Sequence, residues 1–142
     1  MKIQISYNYV AGIASFLINL KLKGKQSRHR TRLANLLIEK NKQIAEEELE
    51  LIKEYAGVNE NGAPNKKENG NFDIEDVAGF KQQQEELLSE KFIIEGGDHH
   101  GMLKTVKAIV LDYDGEVAGS EAFAYDHICE AFENADEESD EE

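Results

Sequence analysis

The first residues, Lys2-Ile3-Gln4-Ile5-Ser6, alternate polar and apolar, the period of a strand with Ile3 and Ile5 on its buried face. From Tyr9 to Leu22 the period changes. Val10, Ile13, Phe16, Leu17 and Leu20 recur at three and four residues, the spacing of one helical face, and Gly24 is expected to stop that helix. Ser27 fits the N-cap of a second helix, because its hydroxyl can accept from an orphan amide two or three residues on. Leu33, Leu36, Leu37, Ile44, Leu51, Ile52 and Tyr55 then mark a stripe that can continue to Ala56. A helix of about 29 residues is roughly 43 Å long at 1.5 Å per residue. One that long packs along the whole domain, breaks near Asn41, or helps build an oligomer.

Residues 57–71 contain Asn61-Gly62, Pro64 and Asn69-Gly70 with few apolar positions, and read as an exposed loop or hairpin tip. Phe72-Asp73-Ile74 suggests a brief strand, and Asp76 to Glu90 a helix with Val77, Phe80, Leu87 and Leu88 inward. Lys91-Phe92-Ile93-Ile94-Glu95 is a second clear strand, ended by Gly96-Gly97. Met102, Val106, Ile109 and Val110 mark a helix from about His100 to Leu111, and a turn from Gly115 to Gly119 follows. Ser120 would cap a last helix carrying Phe123, Ala124, His127, Ile128, Ala131 and Phe132. These elements sum to a helix-dominated α+β domain with one long helix and two or three short strands paired into a small sheet. No internal repeat is present.

A chain of 142 residues with 40% hydrophobic positions can bury one core, so a single domain is expected over residues 1–134. Tyr9 to Leu22 falls short of the roughly 20 apolar residues of a bilayer span and reads as a buried amphipathic helix, so no membrane partner is expected. Cys129 is the single cysteine and can form no internal disulfide, which fits a reducing cytosol.

Charge changes the picture more. The net charge of −13 averages two unlike parts. Residues 1–38 hold no Asp or Glu but seven basic residues, Lys2, Lys21, Lys23, Lys25, Arg28, Arg30 and Arg32, whereas the rest carries 9 Lys against 29 acids. The final stretch from residue 135 has the composition of a solvated, disordered acidic tail. The overall negative charge, with no helix-turn-helix or finger pattern, argues against a duplex nucleic-acid binder.

All three arginines lie within five residues, directly after the expected cap. Cations in a first turn add like charge to the positive end of the helix dipole, so something negative should compensate them. Free amides and arginine forks at a helix start form a ready phosphate site, with Arg28 and Arg32 four apart on one side and Lys25 reaching in. The alternative is neutralisation by the protein's own acids, within the chain or across a subunit interface. Lys23-Gly24-Lys25-Gln26-Ser27 is not a phosphate loop of the glycine-rich kind, since it lacks the first glycine and follows a helix.

Other constellations are weaker. Asp98-His99-His100 supplies at most two well-placed metal ligands, and Asp112, Asp114 and Glu116 lack the glycine and glutamate of a calcium loop. His127 and Cys129 point to different sides of a helix, poor geometry for a base and its nucleophile. Tyr7 and Tyr9 are candidates to stack on a base. No catalytic motif, metal site or cofactor is expected.

The run from Phe16 through Leu20-Lys21-Leu22-Lys23-Gly24-Lys25-Gln26-Ser27-Arg28-His29-Arg30-Thr31-Arg32, with Met102-Leu103-Lys104-Thr105-Val106-Lys107 later, resembles a family of small uncharacterised proteins from phages and prophages of Gram-positive bacteria. The resemblance covers residues 1 to about 133. It implies a viral origin and action in the cytoplasm of the bacterial host, and it brings no catalytic residues.

Together these readings give an expectation of a non-enzymatic phage protein that sequesters a small phosphorylated, nucleotide-like ligand to counter host defence. Lys25, Ser27, Arg28, Arg30 and Arg32 would hold phosphate, Tyr7 or Tyr9 a base, and the protein would be a homo-oligomer. The alternative is a protein-binding module, either an accessory virion or assembly factor or an acidic inhibitor of a host nucleic-acid-binding or defence protein. A phosphodiesterase would need clustered His and acids that the spacing does not show.

Overall fold

The computed structural model describes residues 1–136. Its elements run β1 (Lys2–Ser6), α1 (Tyr7–Ile18), α2 (Gly24–Ala56), α3 (Val77–Leu88), β2 (Lys91–Glu95), a 3-10 turn (Gly97–His99), α4 (His100–Leu111) and α5 (Ser120–Glu133). This is the helix-dominated α+β architecture expected, with a sheet of two antiparallel strands. The 33-residue α2 runs without a break at Asn41.

The chain packs as two compact units, Met1–Asn41 with the chain from Lys91 onward, and Lys42–Glu90. In the first unit β1 pairs with β2 in the register Ile3↔Ile94 and Ile5↔Phe92. Ile3, Ile5 and Ile94 are buried, as alternation requires. Beneath them lie Ile13 and Leu17 of α1, Leu33 and Leu37 of α2, Leu103 and Val106 of α4, and Ile128 and Phe132 of α5, all nearly inaccessible. The other side of β1 meets the chain after α5, where Lys2 and Asp136 exchange backbone hydrogen bonds of 2.8 and 3.0 Å. The acidic tail lies, from residue 137, outside the described residues.

The second unit is thinner. Ile44 and Ala56 are its buried apolar residues, and α3 contributes none. Tyr55 meets Phe80 edge-on at 5.7 Å. Asp76 caps α3, its carboxylate accepting from the Gly79 amide at 3.0 Å, while Val77, expected inward, is exposed on the first turn. The segment 57–76 folds back through isolated bridges Val58↔Pro64 and Lys66↔Phe72 rather than forming a strand at 72–74.

Three local expectations need correction. α1 ends at Ile18, six residues before Gly24, and Gly24 instead opens α2 with a left-handed φ of +61°. Ser27 therefore lies inside the first turn of α2 rather than at its cap. Ser120 is likewise the first residue of α5, preceded by Gly119 with φ +58° at the cap, and Phe123 points out to solvent at 70% exposure. No helix among the described residues is long and apolar enough to cross a membrane.

Candidate functional site

Residues 21–32 alternate between two jobs. Arg28 and Arg32 are exposed with Lys25 along the start of α2, whereas His29 and Arg30 between them are buried. Helical geometry explains the split, since Lys25, Arg28 and Arg32 follow each other at three and four residues along one face.

Arg30 is a structural clamp. Its Nη1 donates to the carbonyls of Leu17 at 2.9 Å and Leu20 at 2.5 Å, its Nη2 to Ser27 Oγ at 3.2 Å, and its Nε to Thr31 Oγ1 at 3.1 Å. The Leu17 carbonyl, which also accepts from the Leu20 amide at 3.1 Å, lies at the negative end of the α1 dipole, so the end of α1 and the residue just past it compensate this buried cation without a carboxylate. Arg30 and Ser27, both expected to hold phosphate, are thus engaged with the protein's own backbone and with each other.

His29 packs against α4. Its Nδ1 pairs with Thr105 Oγ1 at 2.8 Å, and the ring also hydrogen-bonds the Gly101 backbone. Loss of water lowers its pKa below the ordinary 6.5, and the charges of Arg32, Lys25 and Arg28 lower it further, while the Gly101 bond opposes them.

Among the described residues the three exposed cations have no acidic partner. α2 has no acid in its first turn, and none of Lys25, Arg28 and Arg32 forms an ion pair with another described residue. The Ser27 amide reaches the Lys23 carbonyl at 3.5 Å, but the amides of Gly24, Lys25 and Gln26 have no described partner. Lys25 therefore stands beside a row of open amides in the first turn of a long helix, with Arg28 and Arg32 on the second and third turns of the same face.

The tyrosines lie elsewhere. Tyr7 sits under the Lys40 ammonium, 5.0 Å from its ring centre, with Phe92 on the same ammonium at 5.3 Å. Lys40 is eight residues beyond Arg32, about 12 Å along α2. Tyr9 stacks on His127, centroids 3.5 Å apart and planes within 11°. Both rings line a hollow of about 300 Å³ that also includes Lys2, Ser6, Lys91 and Glu130.

That hollow borders a group the sequence reading missed. Asp126, His127 and Glu130 present ligand atoms within 4.8 Å of one another, one turn of α5 bringing positions i, i+1 and i+4 together. The spacing is visible in the sequence; His127 was weighed there only against Cys129. Burial raises the pKa of the Cys129 thiol and so disfavours the thiolate, aided by Glu133 and Asp126 and opposed by the hydrogen bond with Tyr125.

A family described as a protein of unknown function, DUF1617, matches residues 1–139. No curated protein and no solved structure matches the chain.

Proposed function

The chain belongs to the DUF1617 family, and from the exposed cluster at the start of α2 we propose that it is a binding protein that captures a phosphorylated ligand. The observation that carries this reading is the set Lys25, Arg28 and Arg32, exposed on one helix face and without an acidic partner among the described residues. Arginine forks and open helix-start amides both favour a tetrahedral oxyanion over a diffuse negative surface. Arg30 and Ser27 act behind this face, holding the turn that presents it. Tyr7 and Tyr9 are engaged elsewhere, so recognition falls on the phosphate group rather than on a base.

In the phage setting that the sequence resemblance implies, such a protein would withdraw a host nucleotide signal without processing it. Calorimetric titration against cyclic nucleotides, ADP-ribose derivatives and inorganic pyrophosphate tests the reading. Saturable heat that weakens with salt supports it, and absence of heat at millimolar ligand rejects it.

One observation favours a second reading, a protein-binding module. Glu46, Glu47, Glu50 and Glu54 of α2, Glu86 of α3 and Glu90 just after it line an open groove of about 690 Å³ with Leu51 and Leu87. Glutamates around two leucines suit a basic amphipathic helix. Reversing Glu50 and Glu86 to lysine would release such a partner and leave phosphate binding intact.

A further inference from the structure

The backbone pattern of the sheet leaves one edge open. Lys2 directs its N–H and C=O toward Asp136, so the alternation of an antiparallel pair turns those of Ile3 and Ile5 toward Ile94 and Phe92 of β2. On β2 the outward-facing backbone groups are then those of Lys91, Ile93 and Glu95. Among the described residues no strand pairs with this edge. The same three side chains are exposed, Ile93 at 48%. An apolar residue at the centre of an open edge is the usual template for another strand.

The sequence of β2, Lys-Phe-Ile-Ile-Glu, is complementary to itself when reversed. Laid antiparallel against a second copy about Ile93, Lys91 faces Glu95 of the other chain, Phe92 faces Ile94, and Ile93 faces Ile93. The outward N–H and C=O groups fall at the hydrogen-bonded positions of such a ladder, at residues 91, 93 and 95. The two end pairs join opposite charges on one sheet face, and the central pair brings the two exposed isoleucines together. Lys91, whose ammonium now donates to Ser6 Oγ at 2.7 Å, would turn toward the partner carboxylate.

We propose that the chain forms a two-fold symmetric dimer by pairing the open edge of β2 with β2 of a second copy, making a four-stranded sheet ordered β1-β2-β2-β1. The interface is isologous, the commonest arrangement of homodimers. It is independent of the anion-binding reading, because none of its residues belongs to the basic cluster. The other role for Lys91 and Glu95 is to guard the edge against pairing, and that role requires a monomer.

Sedimentation across a concentration series tests the proposal. The intact chain should pass from the 16.0 kDa of one copy to twice that mass. Ile93→Pro removes an outward N–H and leaves the ladder to β1 intact, and should weaken the dimer roughly tenfold or more, with the far-ultraviolet circular dichroism of the parent. Lys91→Glu and Glu95→Lys should each be monomeric through like-charge pairs, yet an equimolar mixture should dimerise, since both end pairs are then Glu with Lys. A monomer at every concentration up to about 1 mM overturns the proposal. So does a dimer unaffected by Ile93→Pro, or one that both single charge variants retain.

Discussion

The guanidinium of Arg30 lies 2.9 Å from the carbonyl oxygen of Leu17, tying the end of α1 to the second turn of α2. The contact fixes the turn through Gly24 and so the direction in which the exposed cations project. Arg30→Met keeps much of the apolar stem and loses the bonds to Leu17 and Leu20. It should cost about 2–3 kcal/mol in urea unfolding, because two carbonyls lose a charged donor in a place poorly reached by water. Equal stability of variant and parent would mean that the clamp contributes nothing.

Arg28 and Arg32 should behave in the opposite way. They have no described ion-pair partner, and as like charges four residues apart on one helix face they repel each other. Arg28→Ala with Arg32→Ala should leave the melting temperature unchanged or slightly higher, a gain in stability on the order of a few tenths of a kcal/mol, while phosphate binding is lost. A clear drop in melting temperature would point to compensation by a subunit or by the tail.

His29 gives the pH dependence. Its folded pKa lies below 6.5, so between the two values the unfolded chain binds a proton that the folded chain does not. Its contribution to stability is therefore complete above about pH 6.5 and declines as pH falls toward the lower folded pKa. Urea midpoints at pH 7.5 and pH 5.5 should differ more for the parent than for His29→Gln. A bound phosphate would offset Arg32, Lys25 and Arg28, so adding it should raise the His29 pKa measured by NMR.

Cys129 should react sluggishly. Burial raises its pKa, and the thiol points at the Val110 carbonyl at 4.0 Å, so alkylation by iodoacetamide at pH 7.5 should be slower than that of free cysteine. Faster reaction would reopen a nucleophilic role.

Both strands and α4 could be read from periodicity because a strand with one buried face alternates and a helix with one buried face repeats at three and four. The end of α1 could not, since Arg30 closes it from ten and thirteen residues away. The exposure of Phe123 is no plainer in the sequence, because it sits next to Ala124 in the chain but off the face that Ala124, Ile128 and Phe132 bury. At the site, the lack of acids around residues 25–32 was plain in the sequence. Which arginines face solvent was not, because it depends on where α1 stops. The stacking of Tyr9 on His127 joins residues 118 positions apart and left no local signal.

The most direct measurement is an NMR titration of the 15N-labelled chain with pyrophosphate, following the amides of Gly24, Lys25 and Gln26 and the guanidinium signals of Arg28 and Arg32. Saturable shifts confined to this turn, absent from the Arg28→Ala, Arg32→Ala chain and weakened by salt, are the expected result. Shifts elsewhere, or none at millimolar pyrophosphate, would contradict anion capture at the start of α2.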